Sequence, residues 1–309
     1  MEADLAFHAV LLPAVAAAAL AWLACMVARR GGPVAVPARV AAVVTSVAPL
    51  AWSLAYQEDS IRAVLRPATA YPWLGWASVM AATVCAVVST QPGLRAAIAA
   101  GSIASLASCI MVNPPDLDGA GPNAAAAVLS MLATVGMAVA LGHGRPGQRS
   151  LPCWPALAAW WAVFAAASGM VLLSGFAKLA VACGALSASA AAWAAMTAFV
   201  PRLAVLAPAA SGAFAATLGV TMLVARGYDE SGFPSWCWWA MTAAPGAACV
   251  AAWPGIARRP RLRALATVMA PALVALAALA AARAATGDGA GPSAPVDYAL
   301  ARSAGRGAP

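Results

Sequence analysis

The chain has 309 residues, of which 63% are hydrophobic and 9% are charged, and its mean hydropathy is +0.83. Soluble domains carry about 25% charged residues. A soluble fold of this length could not bury so much apolar surface, whereas lipid can solvate it. The net charge is +8, but the arginines lie in short segments and form no continuous basic face, so no nucleic-acid partner is expected. The composition predicts an all-α, polytopic integral membrane helix bundle whose main partner is the lipid bilayer.

Apolar segments long enough to cross a hydrocarbon core of ~30 Å as helices follow one another along residues 1–285. We place about ten of them, at residues 5–28, 38–56, 73–91, 94–112, 123–142, 156–175, 178–200, 203–225, 236–256 and 262–285. Two acids and no base precede the first segment, unlike a secretory signal, so we expect a retained span. Residues 286–309 are small, polar and rich in Pro and Gly, and predict a disordered external tail.

Charge alternates between successive loops. The loops after the odd-numbered spans hold eleven of the eighteen basic residues and no acid: Arg29, Arg30, Arg39, Arg95, Arg145, Arg149, Arg202, Arg258, Arg259, Arg261 and Arg263. The other loops and the two termini hold all ten acids: Glu2, Asp4, Glu58, Asp59, Asp116, Asp118, Asp229, Glu230, Asp288 and Asp297. Because Lys and Arg are retained on the cytoplasmic side, we expect both termini outside a bacterial cytoplasmic (inner) membrane.

A faint parallel repeat relates residues 38–112 to residues 203–285, since in each an acidic pair precedes a Trp-rich helix start. The two copies define a candidate outer substrate corner: Glu58, Asp59, Trp73 and Trp76 in one, and Asp229, Glu230, Trp236 and Trp238 in the other. Carboxylates beside aromatic faces can hold a cation. The alternative is an interfacial aromatic belt beside solvated loop acids.

Lys178 is the only lysine and falls between the sixth and seventh spans. If the two helices form a hairpin, the side chain reaches the outer surface at little cost. If the helix break lies elsewhere, Lys178 becomes an intramembrane charge and a functional candidate. The Ser-Gly sequence before it favours the hairpin.

The sequence offers no catalytic, cofactor or metal site. The two histidines, His8 and His143, are expected at opposite ends of spans, ~30 Å apart, and cannot share a metal. No Cys-x-x-Cys occurs among the seven cysteines, and no acid lies in mid-span, which excludes the usual carboxylate proton relay.

Two features inside the spans affect how the helices pack, namely prolines and a stripe of small residues. Prolines predict kinks at Pro13, Pro49, Pro208, Pro245 and Pro271. A small, polar stripe on the fourth span consists of Gly101, Ser102, Ser105 and Ser108. Such a stripe serves either close helix packing or a substrate path.

The stretch Leu172-Leu173-Ser174-Gly175, followed by Leu179-Ala180, Gly227-Tyr228 and Phe233-Pro234, resembles multi-pass proteins of high-GC bacteria that have no known activity. The resemblance covers residues 155–285. About ten spans in ~300 residues is also similar to drug/metabolite-type exporters, although those have both termini inside.

Three functional hypotheses follow. The first is a permease-like carrier or flippase for a small organic or lipidic substrate, suggested by the kinked helices and the polar stripe. The second is a non-catalytic scaffold or partner subunit of a membrane complex. The third is a lipid-modifying enzyme that uses the external carboxylates. The lack of mid-span acids and histidines makes an enzyme the least expected of these.

Overall fold

The computed structural model describes residues 36–57, 73–88, 94–111, 121–141 and 153–287, with a few isolated positions between residues 11 and 22. Nearly all of these residues are helical, and they include no strand. The all-α architecture expected from composition is therefore confirmed. Most of the expected first span 5–28, and the tail beyond residue 287, lie outside the described residues.

The described helices follow the order of the predicted spans. They are α1 Val36–Gln57, α2 Trp73–Val88, α3 Leu94–Met111, α4 Gly121–Ala140, α5 Trp154–Leu173, α6 Ala177–Phe199, α7 Ala207–Gly227, α8 Ser235–Ala243, α9 Pro254–Ala257 and α10 Pro260–Gly287. Two 3-10 segments, Pro201–Leu206 and Ala244–Ala252, precede α7 and follow α8.

Six helices in the described part of the chain are long and apolar enough to cross a membrane: α1, α4, α5, α6, α7 and α10. The α2 helix is also apolar but shorter. A helical membrane bundle is thus compatible with the structure, while the expected number of ten spans is not confirmed.

Two expected spans are not continuous α-helices. Residues 236–256 divide into α8, a 3-10 segment and the start of α9, and the change occurs next to Pro245. Proline has no N–H to donate to the preceding turn, so one α-helical hydrogen bond is lost there, and a helix kinks or breaks at such a position. Pro208 lies in the first turn of α7 instead of inside a span, because residues 201–206 form a separate 3-10 segment. Pro49 and Pro271 do lie inside helices, as expected.

The helices form a ring around α7. Around it, neighbours in contact follow the order α1, α2, α3, α4, the 3-10 segment Ala244–Ala252, α10, α5 and α6, and α6 packs against α1 to close the circuit. Every residue from Ala209 to Ala225 in α7 is buried. Since α7 is central and α1 peripheral, the two copies of the suggested repeat do not occupy equivalent places.

Small residues allow the helices to approach closely. A Cβ placed on Gly136 of α4 would overlap the backbone of Gly246 in the 3-10 segment. A Cβ on Gly219 of α7 would overlap the Ser130 hydroxyl of α4. Where no hydrophobic effect drives helices together, such contacts provide the van der Waals packing that holds a membrane bundle.

Successive long helices alternate in direction, which gives the bundle two ends. At one end the Gln57 side-chain amide donates to the Lys178 carbonyl over 3.0 Å, so the end of α1 meets the start of α6. At the other end Arg263 of α10 donates to the Ala140 carbonyl of α4 over 2.8 Å. We call the first the acid-bearing end, because it holds Asp229 and Glu230, and the second the arginine end.

Candidate functional site

Most hydroxyl groups in the helix core bond to a backbone carbonyl of their own helix. The Ser130 hydroxyl donates to the Ala126 carbonyl over 2.8 Å, and the Thr221 hydroxyl donates to the Thr217 carbonyl over 2.7 Å. The Ser189 hydroxyl instead crosses from α6 to the Ser46 carbonyl of α1 over 2.8 Å. These bonds satisfy the polar groups and leave them no free capacity to donate.

Four buried hydroxyl groups differ, and together we call them the hydroxyl interface: Ser78 of α2, Ser105 of α3, and Ser211 and Thr217 of α7. None of the four oxygens has a hydrogen-bond partner in the described part of the protein. A buried polar group left unsatisfied costs roughly 1–3 kcal/mol. The three helices that carry them, α2, α3 and α7, pack against one another.

The depth of two of these hydroxyl groups, those of Ser105 and Thr217, follows from one close contact. A Cβ on Gly212 of α7 would lie 2.9 Å from the Cys85 Sγ of α2 and 3.8 Å from the Gly101 Cα of α3. The α3 and α7 helices run in the same direction, and each residue rises ~1.5 Å. Ser105 therefore lies about 6 Å beyond that contact, and Thr217 lies about 7.5 Å beyond it. The two hydroxyl groups share almost the same depth.

At the acid-bearing end, the loop after α7 is held by one carboxylate. The Asp229 Oδ1 accepts from the Ser231 N–H over 3.0 Å, and its Oδ2 accepts from the Phe233 N–H over 2.9 Å. Both carboxylate oxygens thus stabilise a turn that includes Gly232 at φ +69°, a conformation that favours glycine. In this structure Asp229 has a structural role in the turn.

The hairpin between α5 and α6 packs against this loop. The Ser231 hydroxyl donates to the Leu173 carbonyl over 2.9 Å, and the Phe176 and Tyr228 rings are 5.1 Å apart. Gly175, at φ +89°, makes the turn between the helices. Lys178 is exposed in the first turn of α6, which is the arrangement expected if α5 and α6 form a hairpin.

The candidate corner residues lie on separate elements, α2 and the segment that follows α7, and they differ in exposure. Trp73 and Trp76 of α2 are 37% and 38% exposed, and Trp236 of α8 is 55% exposed. Trp238 is fully buried, and its ring lies 5.8 Å from the Phe233 ring. Its indole face therefore points into the bundle.

Of the three remaining acids of the corner, the structure describes one. Glu230 is exposed on the loop after α7. Glu58 and Asp59 lie outside the described residues. Next to the loop, the Arg226 guanidinium lies 4.9 Å from the centre of the Trp239 ring. This stacking places a cation of the protein itself over an aromatic ring that adjoins the corner residue Trp238 in sequence.

Arg263 is the main departure from the sequence-based expectation at the arginine end. It was expected in a solvated loop, but it is only 4% exposed and lies in the first turn of α10. Its guanidinium donates to the Ala140 carbonyl, where the last carbonyls of α4 have no partners within their own helix. A cation at a helix C-terminus is also favoured by the helix dipole. In the sequence, Arg263 is the last of four closely spaced arginines, and that position does not indicate burial.

Cys153, immediately before α5, contacts the segment that leads into α7. Its Sγ lies 3.5 Å from the Ala204 carbonyl. Burial raises the pKa of the Cys153 thiol to about 11, since the thiolate is poorly solvated there. The thiol therefore stays protonated at neutral pH and acts as a weak donor, not as a nucleophile.

The described residues contain no group of His, Cys, Asp and Glu that could hold a metal ion. Comparison with known proteins gives no match: no family model, no curated protein and no solved structure aligns significantly with the chain. The hydroxyl interface is therefore the candidate site that rests most directly on the chain's own geometry. Only one of its members, Ser105, belongs to a pattern that is visible in the sequence, the small polar stripe.

Proposed function

We propose that this multi-pass membrane protein is a permease-like carrier or flippase for a small organic or lipidic substrate. The proposal includes a bundle of ten spans in a bacterial cytoplasmic membrane, with both termini outside. The observation that carries it is the hydroxyl interface, where buried donors on three contacting helices have no partner among the residues that the structure describes. A passing substrate, or the water that precedes it, would satisfy these groups.

The chemistry of the interface indicates the substrate class. No charged side chain occurs in the main part of the three helices that carry the interface, which is residues 73–88, 96–111 and 207–225. Hydroxyl groups both donate and accept hydrogen bonds. They suit an uncharged polar group, such as a hydroxyl, amide or ether, on a molecule whose remaining surface is apolar.

The broken ninth segment offers a place for movement. The 3-10 segment Ala244–Ala252 lies against α4 at the contact of Gly136 with Gly246, and it also packs on α10. A stretch of 3-10 helix in mid-bundle often marks a hinge. Discontinuous helices are also a recurrent feature of transporters. Movement there would change the packing of α4, which contacts α7.

The outer corner is proposed as the place where a substrate first meets the protein. Glu230 and Trp236 are its exposed members on the loop and helix after α7, and Trp73 and Trp76 are its exposed members on α2. A Glu230→Gln change would weaken uptake of a cationic or amphipathic substrate by several-fold if an aromatic and acidic corner captures it. Unchanged uptake would leave Glu230 as a solvated loop charge.

The scaffold and enzyme hypotheses have weaker support. The outward face of α10 carries Leu265, Met269 and Leu273, all exposed. Lipid covers such a face without any protein partner, so it does not favour a scaffold. A lipid-modifying enzyme would need free carboxylates outside the membrane, and both oxygens of Asp229 accept backbone hydrogen bonds.

Cysteine accessibility tests the proposed path without knowledge of the substrate. In a variant with all seven native cysteines replaced by alanine, Ser105→Cys and Thr217→Cys should react with a small, water-soluble methanethiosulfonate. The matched control is Ala190→Cys, at a fully buried position of α6 outside the interface, which should not react. Equal protection of all three cysteines would mean that no aqueous path reaches the interface, as a scaffold would predict.

A further inference from the structure

The arginine end carries a dense and exposed positive charge. Arg258, Arg259 and Arg261 are exposed, and they lie between Trp253, which is 70% exposed, and the buried Arg263. No Asp or Glu occurs in the sequence from residue 231 to residue 287. The positive charge of this segment is therefore not balanced by any acid on α8, α9 or α10.

The buried Arg263 connects this positively charged segment to α4. Because Arg263 donates to the Ala140 carbonyl, the start of α10 lies beside the end of α4. The sequence that follows α4, residues 142–152, contributes Arg145 and Arg149 and no acid. The sequence that continues from α4 is therefore positively charged, like the sequence before α10.

An aromatic side chain accompanies the charges. Trp253 precedes the four-residue helix α9, and the exposed Leu262 opens the apolar surface of α10. Tryptophan favours the headgroup depth of a bilayer, where its ring is partly in apolar surroundings and partly wet. Guanidinium groups bind phosphate oxygens through two parallel hydrogen bonds. Apolar surface, an indole and three guanidinium groups therefore occur within residues 253–262, and these are the kinds of group that contact the chains and the phosphate of a phospholipid.

We infer that Trp253, Arg258, Arg259 and Arg261 form a binding surface for the phosphate headgroup of an anionic phospholipid. The lipid's acyl chains lie along the outward face of α10, and its phosphate lies against the guanidinium groups. This inference does not depend on the proposed transport function. An acidic soluble partner would have no use for the indole and the leucine, which are placed to contact a bilayer.

The test is lipid binding by the purified full-length protein in mixed micelles. Phosphatidylglycerol and phosphatidylcholine are titrated separately, and binding is read from thermal unfolding and from lipid retained in native mass spectrometry. Basic side chains near an anionic surface each contribute a substantial electrostatic attraction. We expect the wild-type protein to prefer phosphatidylglycerol by about tenfold to a hundredfold, and a triple Arg258→Gln, Arg259→Gln, Arg261→Gln variant to lose most of that preference.

The matched control removes three arginines from the opposite end of α10 and the tail: Arg283→Gln, Arg302→Gln and Arg306→Gln. It has the same net charge as the first variant and should keep the wild-type preference. Equal losses in the two triple variants would overturn the inference, because net charge alone would explain them. Full competition by excess inorganic phosphate would also overturn it, since the site would then bind a free anion.

A lysine triple variant, Arg258→Lys, Arg259→Lys, Arg261→Lys, covers the case in which the glutamine variant does not fold. It retains the charge and should keep a preference for phosphatidylglycerol that is reduced but measurable, because lysine lacks the two-pronged contact of arginine. A wild-type protein that binds the two lipids equally well would refute the inference whatever the variants do.

Discussion

The central helix α7 and the last helix α10 are both long and apolar, yet they have opposite surroundings. In the most apolar 18-residue stretch of each, 94% of α7 is buried in the protein but only 28% of α10. The α7 helix is buried on all sides and its interior is rich in Ala, Gly, Ser and Thr. The α10 helix turns small residues such as Ala275 and Ala278 inward and leucines outward. Both helices are apolar enough to join a membrane-like bundle. Only α7 is rich enough in small residues for other helices to pack closely on all its sides.

The largest expected effect comes from adding the same bulk to each helix. Gly219→Leu in α7 places a side chain where even a Cβ meets the Ser130 hydroxyl and lies 3.3 Å from the Ala126 carbonyl. We expect a loss of ~3 kcal/mol or failure to fold, since overpacking a dense core forces neighbours to move. Ala277→Leu, on the exposed face of α10, should change stability by less than ~0.5 kcal/mol. Thermal unfolding in mild detergent measures both, and similar losses would contradict the assigned positions.

A second comparison concerns the one buried charge of α10. Arg263→Gln shortens the side chain that donates to the Ala140 carbonyl and should destabilise the protein by roughly 1.5–3 kcal/mol, the usual range for a hydrogen bond to a charged group. Arg261→Gln, two residues earlier on the exposed side, should have little effect. If the two variants unfold at the same temperature, the contact between α10 and α4 does not contribute to stability.

The turn that ends α7 can be tested in the same way. Asp229→Ala removes the acceptor for the Ser231 and Phe233 amides and should cost about 1–2 kcal/mol. Glu230→Gln removes an equal charge from an exposed side chain and should be close to neutral. Thermal unfolding of both variants at one pH is sufficient. A larger loss for Glu230→Gln would show that the charge, and not the turn, matters at this loop.

The smallest expected effect concerns Cys153, which contacts the segment that leads into α7. In a variant that keeps only Cys153, the rate of alkylation by iodoacetamide should continue to rise with pH up to about 11, the pKa to which burial raises this thiol. In the denatured chain the rate should level off above ~8.5. By the same linkage, the folded state holds the proton more tightly, so stability falls as pH rises between these two values. A plateau near ~8.5 in the folded protein would mean that Cys153 is solvated.

Much of the fold could be predicted from the sequence, because membrane helices are long apolar runs. Nine of the ten expected segments overlap described helical elements, and six of those helices are long and apolar enough to cross a membrane. The break at Pro245 was not predicted, since apolarity continues through it and a proline inside a span signals only a kink. The central place of α7 was also missed, because composition alone does not say which Ala-rich helix is surrounded.

The candidate site was less predictable. The burial of Trp238 depends on how α8 is rotated, and the helix pattern shows no strong polar face from which that rotation could be inferred. Asp229 was grouped with Glu230 by adjacency, although only Asp229 reaches back to the loop amides. Arg263 follows three other arginines in the sequence, but in the structure its side chain contacts the end of α4. Each difference arises from contacts between elements that are distant along the chain.

The closed ring also has a consequence for assembly. During synthesis the chain emerges from its N-terminus, and domains form in that order. The helices α1 to α6 then supply only part of the enclosure, and α7 enters while one side is still open to lipid. The wall is completed when α8, the 3-10 segment and α10 fill the gap between α4 and α5. The last helix thus completes the ring, and a nascent chain that stops after α7 leaves the gap between α4 and α5 unfilled.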